Sequence, residues 1–410
     1  MSTSEVSPDG RPGQSASARD KTVIRIGILY SLTGTYGAIG REMLNGVLMA
    51  IEESNANASF DFLLEPVIRD PGGSLDQYYA MCHELLHTQG VRHVIGCYTS
   101  ASRKRVLPLI EGANALLWHS PRYEGFESSA NVIYLGAAPN QHVIPLIRHV
   151  TDRYETKLYN VGSNYVWSWE INRIAREAMQ EAGGAVVGEQ LVPVGEHTVQ
   201  AIIDDIIEKR PAIVLNTLVG ESAYHFYHAW QRSAHQHGFL ASNDVAKLSL
   251  TLCEPEVKLV GAQAVEGYLV SSVYFQSIHS EQNQRFLLEY RARFGSSSSP
   301  SVDTEAAYLC GVFLSRSIAA CGTAETSAVC KEVCRQKVHA PQGTVHIDAD
   351  NNHSYLTPRL GRCRADGQFD IFWEAPQPVK PDPYLTWVDL FGLVKPEHSG
   401  SFVPPDDSGR

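Results

Sequence analysis

From Val23 onward, short β-branched and apolar stretches alternate with segments whose apolar residues recur every three to four positions. The first stretch, 23–30, predicts a strand that breaks at the turn SLTGTYGAIG. Beyond it Met43, Leu44, Val47, Leu48 and Ile51 share one helical face. Strand 63–68, the break DPGGS, helix 76–88, strand 93–97, helix 102–112 and strand 115–119 continue the alternation. Past a bend at Pro139 the pattern restarts with helix 141–154, strand 158–162, helix 169–182 and strand 185–191. Helix 199–209, strand 212–218 and helix 222–233 follow. Strands separated by single helices predict βαβ units and parallel sheets, and the restart predicts two similar Rossmann-like lobes. Helices 281–294, 304–320 and 327–336 are amphipathic and need a sheet to cover. The segments 344–347, 358–364 and 368–373 read as short antiparallel strands.

Length and charge narrow the function classes. At 410 residues the chain holds more than one core. A formal net charge of −11 with no basic run argues against a nucleic-acid surface. No window approaches the roughly 20 apolar residues of a membrane span, so no membrane partner is expected. The polar arm 1–21, rich in Ser, Gly and Pro, has no apolar signal core, and it leads us to expect a cytoplasmic protein. Eight scattered cysteines form no C-x-x-C pair and read as small buried residues, which suits a reducing compartment.

Catalytic patterns are thin. His83-Glu84-Leu85-Leu86-His87 is formally H-E-x-x-H, which on a helix sets two imidazoles one turn apart for zinc. Glu111, 24 residues on, is a candidate third ligand, but strand 93–97 intervenes and the motif sits at the end of its helix away from the crevice, so it reads as an exposed pair. His225 and His228, with His235 and His237 nearby, read as a wet helix edge. G-x-S-x-G, G-x-G-x-x-G and the P-loop pattern are all missing. No catalytic residue, metal or cofactor is expected. Two doubly wound lobes do predict a ligand crevice at the carboxyl ends of their strands. The turns there offer Tyr98, Ser100, His119, Ser120, Tyr165 and Trp167. Aromatic walls with neutral hydrogen-bonding tips suit a planar amide. Arg122, the one cation among them, is expected to point out of the pocket, toward solvent or a carboxylate.

Several long strings carry a resemblance: GCYTSASRKRVLPLIE, PRYEGFESSANVIYLGAAPNQ, GSNYVWSWEIN, NTLVGESA, APQGTVHIDADNNHS and VKPDPY. They resemble the type I periplasmic-binding-protein superfamily in its amide and urea branch. That branch includes urea and short-chain amide receptors of ABC transporters and the amide-sensing negative regulators of aliphatic amidase operons. The resemblance runs from about Val23 to Tyr384. It implies an α/β fold of two Rossmann-like lobes with parallel sheets, joined by a three-segment hinge. Residues 22–138 plus 272–343 would form one lobe and 139–271 plus 344–395 the other, with 396–410 a flexible tail. It places an amide against Tyr98, Ser100, His119, Pro121, Tyr165, Trp167 and Thr251, of which His119 and Trp167 stand where relatives carry tyrosine. The resemblance and the polar start together favour a cytoplasmic sensor that binds a short-chain amide or urea and controls an antiterminator-type partner; a homo-oligomer is allowed. The alternative is the substrate-binding protein of a transporter for urea or short-chain amides.

Overall fold

The computed structural model describes residues 21–386, so the arm up to residue 20 and the predicted tail 396–410 lie outside the described residues. The first lobe is built on β1 (Thr22–Leu29), β2 (Phe62–Arg69), β3 (His93–Gly96), β4 (Leu116–His119) and β5 (Val132–Tyr134). They form one parallel sheet in the order β2-β1-β3-β4-β5. β3, β4 and β5 are buried throughout, as strands covered on both faces must be. Helices Gly37–Ala56 and Val302–Cys321 pack one face, and helices Leu75–His87 and Ser100–Gly112 the other.

The second lobe repeats the plan. β6 (Lys157–Ser163), β7 (Ala185–Val192), β8 (Ile213–Thr217), β9 (Ala246–Ser249) and β10 (Leu269–Ser272) run parallel. Next in the chain, β11 (Lys337–Ala340), β12 (Gly343–Ile347) and β13 (Ser354–Tyr355) make a separate antiparallel sheet. The chain then returns through β14 (Arg359–Cys363) and β15 (Phe369–Glu374), which extend the second sheet antiparallel beside β10. The finished order is β15-β14-β10-β9-β8-β6-β7.

One boundary differs from expectation. Residues 344–355 do not join the second lobe, because β12 and β13 hydrogen-bond to each other and to β11, and a bridge from Tyr134 to His353 ties them to the first sheet's edge. The lobes are therefore connected by crossings at 135–138, 273–280 and 356–358. The buried Arg359 guanidinium staples two of these: it donates to the carbonyls of Val273, Thr357 and Gln342 and pairs through Nε with Glu374 at 2.8 Å.

Two glycines set the approach distances that shape the cleft. A Cβ on Gly136, in the first crossing, would lie 1.9 Å from the Pro121 carbonyl oxygen. A Cβ on Gly46 would lie 2.4 Å from the Thr304 carbonyl oxygen, so glycine lets helix Val302–Cys321 sit flush against helix Gly37–Ala56. No single helix among the described residues is long and apolar enough to cross a membrane.

Candidate functional site

Where β3 ends, Cys97 adopts the left-handed region at φ 64°, a conformation costing a non-glycine residue about 1 kcal/mol or more. That turn swings Tyr98 and Thr99 into the cleft, and Thr99 then caps helix Ser100–Gly112 through a reciprocal box with Ser102. Pro121 and Arg122 follow β4. From the second lobe, the turn after β6 brings Tyr165 and Trp167 at the start of helix Val166–Glu181. Val219 follows β8 and Thr251 follows β9. Asp303 completes the ring from the first turn of helix Val302–Cys321. These residues, with Ser100 at the start of its helix, bound about 360 Å³ of space that includes the open mouth.

Six of the seven residues expected in the site line this cavity: Tyr98, Ser100, Pro121, Tyr165, Trp167 and Thr251. His119 does not. It is buried behind the wall, with Nε2 3.2 Å from Arg103 Nη1 and Nδ1 3.4 Å from the Gly96 carbonyl. Burial and the neighbouring Arg103 charge hold its pKa well below the ordinary value, so the ring is neutral, accepts from Arg103 and donates to Gly96. The imidazole steadies the charged network beneath the site. Arg103, fully buried, pairs with Glu124 at 2.9 Å and Glu127 at 2.6 Å. Glu124 in turn accepts from the Ser100 hydroxyl.

The cavity's polar groups are unevenly committed. Thr251 donates to the Leu218 carbonyl at 3.2 Å. Burial raises the pKa of Tyr98 and Tyr165 well above the phenol value, so both stay neutral. The indole N–H of Trp167 is buried and has no hydrogen-bond partner in the protein. Arg122, expected to point out of the pocket, lines it instead and finds a carboxylate there: Nη2 donates to Asp303 Oδ2 at 2.8 Å, and Nη1 donates to the Leu250 carbonyl of the second lobe. Burial opposes the guanidinium charge, yet Asp303 beside it keeps its pKa above the ordinary value. Asp303 escaped the sequence reading because it lies 181 positions away and one residue before the predicted helix start.

The H-E-x-x-H string stays outside this site. Its histidine rings lie 4.4 Å apart on helix Leu75–His87, and Glu84 is engaged by Arg69 at 2.5 and 3.0 Å. No group of three or more metal-binding side chains converges anywhere among the described residues.

Comparison with known proteins places this architecture. Residues 24–389 match the family described as periplasmic binding protein domain. A Leu/Ile/Val-binding protein homolog from Brucella abortus is 23% identical over 346 residues, 82% of this chain and 87% of that protein. The solute-binding protein of an ABC transporter from R. palustris, in complex with 4-hydroxybenzoate, superposes with a TM-score of 0.77 at 19% identity, covering 87% of this chain and 98% of its own. An amino acid ABC transporter substrate-binding protein from Pseudomonas fluorescens gives 0.75 at 18%, covering 88% and 97%.

Proposed function

This chain belongs to the periplasmic binding protein family, and we propose that it binds a small, planar, uncharged amide or urea-like molecule between its lobes without transforming it. The unpaired Trp167 N–H carries this reading. A buried donor without a partner costs about 1–3 kcal/mol, which a ligand carbonyl would recover. The flat faces of Tyr98 and Tyr165 suit a planar ligand, and the Ser100 hydroxyl, while donating to Glu124, keeps lone pairs for a ligand N–H. Charge supports the same class: Arg122 is balanced by Asp303, so a neutral guest adds no unpaired charge. A carboxylate such as the R. palustris protein's 4-hydroxybenzoate would find the guanidinium already engaged.

An amide of four heavy atoms at no more than ~1.5 kcal/mol per atom gains about 6 kcal/mol, or a Kd of tens of micromolar. Of the two roles set out from the sequence, likeness along nearly the whole chain to transporter solute-binding proteins supports delivery to a permease. The sensor controlling an antiterminator would act in the cytoplasm, whereas a transport receptor acts outside it. Calorimetry across formamide, acetamide, propionamide, butyramide and urea, against propionate, 4-hydroxybenzoate and leucine, tests the ligand class. We expect neutral amides to bind without releasing ammonia. Binding of carboxylates or leucine alone would sink the reading, and fractionation of the tagged full chain separates the two roles.

A further inference from the structure

We propose that Asp303 sets the charge selectivity of the cavity: by holding the Arg122 guanidinium it denies the site a free cation and excludes carboxylates isosteric with the amides it accepts. The inference rests on the amide reading above and names the residue that enforces it.

An arginine in the wall of a small, largely buried cavity is the natural receptor for a carboxylate, because its fork meets two oxygens at once. Here the fork is divided. Nη2 faces Asp303 at 2.8 Å and Nη1 faces the Leu250 carbonyl, from opposite lobes of the protein. Both members of the pair are buried, Asp303 almost completely. A ligand carboxylate reaching Arg122 would set a second negative charge beside Asp303, where little water screens the repulsion. The surroundings offer Arg122 no equal substitute. Glu254 and Glu256 lie within electrostatic reach, but burial pushes both up to about 7, weakening them as anions. Asp303 itself is anchored by position: Ser301 caps the helix, donated to by the backbone N–H groups of Asp303 and Thr304. An amide presents the same shape as a carboxylate without the charge and avoids the repulsion. Selectivity thus comes from an arginine kept occupied, an arrangement that rejects the wrong ligand more than it attracts the right one.

The test compares propionamide with propionate by calorimetry at pH 7.5. Wild-type protein should bind propionate at least 100-fold more weakly than propionamide. D303N, nearly isosteric and able to keep the helix start, should raise the propionate-to-propionamide affinity ratio at least tenfold. Adding R122M to D303N should take that gain away. A wild type that binds the two ligands equally overturns the proposal, whatever the variants do. So does a D303N ratio that stays put, or a gain that survives R122M. If wild type binds propionamide while the variants fail in this way, only the role of Asp303 falls; if wild type binds no amide at all, the functional reading falls first and this one with it.

Discussion

Replacing Trp167 by Phe removes the N–H that has no partner while keeping an aromatic face beside Tyr165, whose ring centroid lies 6.4 Å away. In the ligand-free protein the change has two opposing effects. It relieves an orphaned donor, worth about 1–3 kcal/mol. It also shrinks a nearly buried ring and opens a gap, at roughly 24 cal/mol per Å³ plus lost burial, again about 1–2 kcal/mol. Unfolding free energy should therefore move by less than about 1 kcal/mol. Binding has no such cancellation. Wild type relieves its orphan when the ligand carbonyl arrives, and W167F has nothing to relieve, so affinity should fall by about 1–3 kcal/mol, or 5- to 150-fold. Propionamide calorimetry and urea unfolding on both proteins make the pair of measurements. Unchanged affinity would refute the donor role. A loss of affinity matched by an equal loss of stability would point to disturbed packing and refute it as well.

Two further expectations concern the groups around the cavity. Arg103→Met leaves the buried Glu124 and the partly buried Glu127 with only the half-exposed Lys104, 3.4 and 2.5 Å away, and should cost about 3 kcal/mol by urea unfolding at pH 7; a loss below about 1 kcal/mol would mean that Lys104 and water already balance the pair. Glu256, pushed from 4.5 up to about 7 by burial, holds its proton more tightly folded than unfolded. Its stabilising contribution is complete below about pH 4.5 and is lost as pH rises to 7. E256Q should therefore gain on wild type between pH 5 and pH 8, by up to about 3 kcal/mol, and a pH-independent difference in urea midpoints would contradict this.

The doubly wound plan was legible because buried parallel strands such as β3 and β4 read as apolar runs, with one-faced helices between them. Equally short strands that carry polar residues were not. β9 (AKLS) and β10 (LVSS) are four residues each, with serines that carry no strand signal, yet both sit mid-sheet in the second lobe. Their burial comes from neighbours that local pattern does not contain. The same division runs through the site. Residues at βα turns could be placed from topology and family likeness, which is why Tyr98, Ser100, Tyr165 and Trp167 fall together on the cavity wall. Side-chain direction could not. His119 closes β4 at the right depth but turns toward Arg103, and Arg122 turns in because Asp303 and Leu250 await it there. A partner 181 positions away leaves no trace in the residues beside Arg122.

The Arg359 guanidinium also has a mechanical meaning. Because the carbonyls of Val273, Gln342 and Thr357 converge on one rigid, planar group, the second and third crossings cannot drift independently. Two domains on three loose tethers could tilt, twist and slide past each other. With two tethers pinned together, the remaining freedom approaches rotation about a single axis. A guest worth only a few kilocalories can then select one closed pose, since few competing poses exist to dilute its effect.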